Sequence, residues 1–174
     1  VCVAELVALF FLSGTGDHRN LPRFPPRRSS DPDRVVLIED TAELQCSAED
    51  KVQMLTKRTE PVVTMTDLVR DTLRLRPDRI IIGEVRDGSA LDLLKAWNTG
   101  HPGGLATIHA NSALEGLIRL EDLIGEVTQR IPFRAIAQAI NVIIYIERTA
   151  GGRRIQAVSR VTGRVGETYT LEAC

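Results

Sequence analysis

A chain of 174 residues, 43% of them hydrophobic and 26% charged, can bury one ordinary soluble core. Its formal net charge of -1 excludes a global basic field of the kind that draws a protein to nucleic acid. No apolar run approaches the ~20 residues of a membrane helix. The three cysteines, Cys2, Cys46 and Cys174, are too scattered for a metal site or a disulfide framework, so a reducing compartment is expected.

Residues 1–32 stand apart from the rest of the chain. Val1 to Leu12 is apolar but lacks the basic start and cleavage site of a signal peptide. Leu21-Pro22-Arg23-Phe24-Pro25-Pro26-Arg27-Arg28-Ser29-Ser30-Asp31 has no helix or strand period. The run from Gly16 through Asp31 resembles the translation of a sequencing-library adapter. Residues 1–32 are therefore set aside as a non-native or disordered segment, and 33–174 are read as the folded part. The missing initiator methionine reads as the mark of a fragment.

From Asp33 the signals become coherent. Val35-Val36-Leu37-Ile38 is a β-branched apolar run ending in Glu39-Asp40. Such a run fits a strand buried on both faces, as in a parallel sheet. Thr41–Leu44 reads as a turn or short helix, and Val52–Thr56 as an edge strand. Thr64 to Leu75 is a helix: Met65, Leu68, Val69, Thr72 and Leu73 share one face, and Thr64 with Asp67 forms a capping box. Pro77 ends it. The strand Arg79–Val85 comes next, with Ile80, Ile81 and Ile82 consecutive and Gly83-Glu84 at its exit.

Ser89 to Trp97 is the next helix, with Asp87 or Ser89 as its cap and Leu91, Leu94 and Trp97 inward. The strand Leu105–His109 is preceded by the turn Pro102-Gly103-Gly104. Asn111 or Ser112 caps a helix closed by Gly125. Pro132 opens another, with Phe133, Ile136, Ala137 and Ile140 inward. Val142–Ile146 is a further strand. Ile155–Val161 and Glu167–Leu171 read as an antiparallel hairpin. Strands alternating with helices predict an α/β domain with a mostly parallel sheet and flanking helices.

Successive strands thus end in Glu39-Asp40, in Glu84 with Arg86, and in His109. In open α/β sheets ligands bind beyond the carboxyl ends of the strands. Acids there can hold a hydrated Mg²⁺ or orient a water, and a histidine and arginines can meet phosphate oxygens. Phosphoryl transfer asks mainly for positioning and charge neutralisation. No Gly-x-Ser-x-Gly or Ser/His/Asp order competes with it. A metal-dependent hydrolase using Glu39, Glu84, His101 and His109 is a rival reading. A non-catalytic module for oligomerisation or regulation is another.

Three stretches carry a resemblance. Val36–Leu44 resembles the Asp box of the secretion/traffic ATPases of type II and type IV systems. Leu73–Asp87 resembles their atypical Walker B. Thr99–Asn111 resembles their His box, and the order is the family's. The wording Ala96-Trp97-Asn98-Thr99-Gly100-His101 resembles the conjugative-transfer, VirB11-like branch. The resemblance runs from Asp33 to about Arg160. It implies the C-terminal part of a RecA-like P-loop NTPase domain that uses ATP and Mg²⁺. It implies that Glu39 orients or activates water, that Glu84 lies near Mg²⁺ and water, and that His109 reaches toward the phosphates. Arg74 and Arg86 would contact phosphate or bridge subunits. It further implies a cytoplasmic homo-hexamer, peripheral to an inner-membrane secretion or conjugation machine, with no sequence-specific nucleic-acid binding of its own.

One part is missing from the sequence. A phosphate-binding loop needs Gly-x-x-x-x-Gly-Lys-[Ser/Thr] after a strand. Ser13-Gly14-Thr15-Gly16-Asp17-His18-Arg19-Asn20 begins like one, but after Gly16 the pattern fails, with no closing glycine, no lysine and no Ser/Thr at the Mg²⁺ position. The chain as written is therefore expected to be incompetent in hydrolysis.

Overall fold

The computed structural model describes residues 6–11, 33–101 and 103–174. Strands β1 (Leu6–Phe11), β2 (Val35–Glu39), β3 (Lys51–Leu55), β4 (Arg79–Ile82), β5 (Gly104–Ile108), β6 (Val142–Thr149), β7 (Gly152–Val165) and β8 (Thr168–Ala173) form one sheet in the order β3-β2-β4-β5-β1-β6-β7-β8. Helices α1 (Met65–Thr72), α2 (Ser89–Asn98), α3 (Ala113–Gly125) and α4 (Phe133–Ala139) flank it.

The block β3-β2-β4-β5 is parallel throughout. β2 is buried at every position, as its unbroken apolar run requires. Its register sets Val36 beside Ile80 and Ile38 beside Ile82, and Ile82 in turn pairs with Ala106. β3 lies at the edge and alternates between exposed and half-buried residues. The antiparallel hairpin β7–β8 closes the other side. This is the α/β architecture of a partial RecA-like P-loop NTPase.

Leu6–Phe11 belongs to the segment that the sequence reading set apart, yet it enters the sheet as β1. It pairs antiparallel with both β5 and β6. β6 therefore points the same way as β2, β4 and β5, with one opposed strand in the slot between. An apolar six-residue strand satisfies the backbone groups of both neighbours there.

Residues of all four helices join one core with Val36, Ile38, Ile80, Ile82, Ala106 and Ile108. α1 is capped as its sequence demands: Thr64 accepts from the Asp67 N–H, and the Asp67 carboxylate accepts from the Thr64 N–H. The Thr64 hydroxyl, which donates to Asp67 Oδ2 at 2.6 Å, and then the Thr64 N–H hold the Asp67 carboxyl below its ordinary range. Ser112 caps α3, its hydroxyl accepting from the Glu115 N–H. α2 has no side-chain cap at Gly88, although Asp87 Oδ1 accepts from the Ser89 N–H at 2.9 Å. Its inward face carries Ala90, Leu93, Leu94, Ala96 and Trp97, while Leu91 is only half-buried.

Trp97 is the largest fully buried side chain among the described residues. A Cβ on Gly104 would collide with its indole, so the glycine makes room for the ring. Truncation of Trp97 to Ala is expected to cost about 3–5 kcal/mol in denaturant unfolding. Gly104→Ala should be destabilising in the same assay, because a packed indole cannot yield.

Tyr169 on β8 ties the hairpin to α3 by donating its hydroxyl to Glu121 Oε1. Arg164 stacks on Phe133, 3.9 Å from the ring centroid, and bonds to the Glu167 carbonyl. Burial, then the bond to Glu121, pushes the Tyr169 hydroxyl well above its ordinary pKa. A raised folded-state pKa means that the stabilisation is complete below the unfolded value, about 10. It is lost as pH climbs above that value. Alkaline unfolding should therefore steepen above about pH 10, and Tyr169→Phe should remove that component in a stability-against-pH series.

Candidate functional site

Because β2, β4 and β5 are parallel and in register, their exits share one rim. Glu39 is the last residue of β2 and is 3% exposed. Its Oε1 accepts from the Glu43 N–H at 3.0 Å and the Leu44 N–H at 2.8 Å. The loop after the strand thus folds back to satisfy its carboxylate. Gly83 lies beside it: a Cβ there would stand 3.1 Å from Glu39 Cγ. The Gly83 N–H also donates to the Ile38 carbonyl at 2.9 Å. A side chain at this position would press on the Glu39 methylene.

Glu84 is the next residue. Its Oε1 lies 3.3 Å from His109 Nε2, and its Oε2 accepts from the Arg86 guanidinium. Arg86 reaches on to Asp40 Oδ2 at 3.6 Å, and Asp40 Oδ1 accepts from the Thr56 hydroxyl at 2.7 Å. A continuous chain of polar contacts thus runs Thr56–Asp40–Arg86–Glu84–His109 across the ends of four strands. The bond from Glu84, with its charge, raises the Arg86 pKa above the usual guanidinium range. The Thr107 hydroxyl donates to the Gly83 carbonyl, and the Val85 N–H donates to the Thr107 carbonyl at 2.8 Å. These bonds fix the β4 exit against β5.

The structure therefore brings together Glu39, Glu84, Arg86 and His109, with Asp40 between them. Arg74 is elsewhere. It lies just past α1 and pairs with Asp71 at 3.0 Å, on an exposed surface. The adjoining Leu75 carbonyl accepts from Arg34, which precedes β2, so Arg74 lies toward the strand entries. Two other arginines of this basic stretch have acids of their own, Arg70 with Asp92 at 3.2 Å and Arg79 with Asp33 at 2.8 Å.

His101 and His109 flank opposite ends of β5, and His101 Nδ1 is 3.2 Å from the Ala96 carbonyl. Among the described residues no three of His, Cys, Asp and Glu gather as a metal cluster. The hydrolase reading that joined both histidines loses its geometry. Sequence reasoning missed Thr56, Thr107 and the Glu43 and Leu44 amides. The signal for Thr56 was its place one residue beyond the end of the edge strand.

The Ser13–Asn20 stretch lies outside the described residues. β1 ends beside the entry of β5, where Phe11 pairs with Gly104.

A family model described as "Type II/IV secretion system protein" matches residues 27–167. The chain belongs to this family. It is 52% identical over 140 residues to the conjugal transfer protein TrbB of Rhizobium radiobacter, covering 80% of this chain and 42% of that protein. It is 37% identical over 138 residues to the type IV secretion system protein PtlH of Bordetella pertussis, covering 73% and 39%. Among solved structures, the VirB11 ATPase from the Brucella suis type IV secretion system in complex with sulphate superposes with a TM-score of 0.66 at 28% identity, covering 74% of this chain and 40% of that one. The pilus retraction motor PilT with bound ADP shares the fold at a TM-score of 0.57 and 24% identity, covering 79% and 40%. The chain spans less than half the length of these family relatives.

Glu39 offers a direct test of how the rim is held. Glu39→Ala removes the acceptor of two N–H groups beside a buried position and should cost about 1–3 kcal/mol in denaturant unfolding. Glu39→Gln keeps a carbonyl oxygen for them and should cost clearly less.

Proposed function

We propose that the chain is the C-terminal RecA-like part of a secretion or conjugative-transfer ATPase. In the whole protein, ATP hydrolysis would drive type IV secretion or DNA transfer. The observation that carries the proposal is the convergence of Glu39, Glu84 and His109 on adjacent parallel strand exits. The family match and the identity to a conjugal transfer protein support it.

The donor set suits Mg·ATP. Mg²⁺ keeps most of its waters and asks for one or two carboxylates rather than a full protein cage. Glu84, with Asp40 close by, would meet the metal through water. When bound, Mg·ATP supplies the phosphoryl group to be attacked. Glu39 would orient the water: its Oε1 is occupied by loop amides, which fixes the carboxylate and leaves the other oxygen as the acceptor. His109 would meet the phosphates, with its contact to Glu84 setting its position. Arg86 neutralises charge at the rim and holds Glu84 in place. Arg74, distant from the rim, is left the intersubunit role.

As written, the chain has no sequence able to grip the phosphates, so it should bind Mg·ATP weakly and hydrolyse it negligibly. A homo-hexamer in the cytoplasm, peripheral to an inner-membrane machine, is the assembly that fits this reading. Among the described residues no helix is long and apolar enough to cross a membrane. The rival reading, a non-catalytic oligomerisation or regulatory module, gains from the opposed β1 strand, which occupies the slot beside β5.

Two measurements test the proposal. Calorimetric titration of the purified chain with Mg·ATP should give no micromolar binding; such binding would overturn its incompetence. A chimera carrying the phosphate-loop half of a related protein ahead of Asp33 should hydrolyse ATP. Glu84→Gln in that chimera should lower kcat by about a hundredfold or more. Unchanged turnover would remove Glu84 from its role.

A further inference from the structure

Beside the rim lies an open cavity of about 320 Å³, bounded by the β2 and β3 exits, the loop 56–64 and the start of α2. Asp40, Glu84 and Arg86 form a wall common to this cavity and to the smaller pocket around Glu39. Three features set its chemistry. First, Lys57 and Arg58 line it from the loop. The loop is pinned at its base by paired bonds between Lys57 and Val63, each 2.9 Å. Arg58 forms no ion pair or hydrogen bond among the described residues, and the Lys57 ammonium has only the Glu60 carbonyl at 3.2 Å.

Second, the ten-residue helix α2 opens onto the cavity with no side-chain cap at Gly88. A helix N-terminus favours negative charge. Third, Ser89 lines the cavity, is 2% exposed, and has a buried hydroxyl with no partner among the described residues. Buried hydroxyls are ordinarily satisfied, so this one can take a partner from outside the chain.

The acids of the cavity are engaged already. Arg86 holds Asp40 and Glu84, and Asp87 Oδ1 accepts from the Ser89 N–H. Lys57 and Arg58 thus line the open volume without a carboxylate partner among the described residues, and the Ser89 hydroxyl lies buried at its wall.

We propose that this cavity binds inorganic phosphate, held by Arg58, Lys57 and the Ser89 hydroxyl. The reading of the rim as a hydrolytic site gives the phosphate an origin. A phosphate released at Glu84 would have Arg86 as the shared wall to pass, and would settle away from the nucleotide. The binding itself does not depend on hydrolysis. It is measured without nucleotide, so its failure and the failure of the ATPase reading are separate results.

The test is an amide NMR titration of the whole chain with inorganic phosphate and, separately, with ADP. Saturable millimolar shifts of the Lys57, Arg58 and Ser89 amides with phosphate are expected. Arg58→Ala should weaken them about tenfold, and Ser89→Ala should weaken them as well. Thermal melts would confirm that both variants fold. Lys57→Gln, a change at an exposed side chain, gives a third measure should Ser89→Ala unfold. An absence of saturable shifts overturns the proposal. So does binding that Arg58→Ala leaves unchanged, or a response to ADP with none to phosphate.

Discussion

Everything at the rim depends on the parallel register of β2, β4 and β5. β2 is an apolar run covered on both faces, and β4 and β5 bury their alternate positions fully. Burial fixes the register, because a one-residue slip would turn every side chain to the other face. Once Val36 stands beside Ile80, and Ile82 beside Ala106, the residues just beyond the strands have no freedom to part. Glu39, Glu84 and His109 are brought together by the hydrophobic residues behind them, not by any attraction among themselves.

The polar contacts then refine what burial has placed. Glu39 is nearly inaccessible and gives one oxygen to two backbone amides of its own loop. Glu84 is held by the Arg86 guanidinium on one side and meets His109 on the other. The two carboxylates are thus fixed in different ways. One is set by a loop that belongs to the same strand, the other by side chains from its own exit and the next strand. Gly83 permits their closeness by leaving space for the Glu39 methylene.

β1 shows how strongly an open position in a sheet recruits a strand. The position between β5 and β6 offers backbone donors and acceptors on both sides, and an apolar run from the N-terminal segment fills it. Its direction is opposite to that of its neighbours.

Strand and helix order, the capping box at Thr64 and the three reactive strand ends were legible in the residues. Apolar periodicity and local capping chemistry depend on neighbours in sequence, so a one-dimensional reading reaches them. The same reading placed Arg74 with Arg86, because both flank one motif; only the fold separates a residue at a strand entry from one at its exit. It missed Thr56, which meets Asp40 across sixteen positions of intervening chain. It could not foresee that Leu6–Phe11 would enter the sheet, since pairing between strands distant in sequence is decided by which edge is open. The sequence by itself determined which side chains stand at the ends of buried strands. The tertiary structure alone decided which of those ends meet, because register and strand direction are properties of the sheet and not of any one segment.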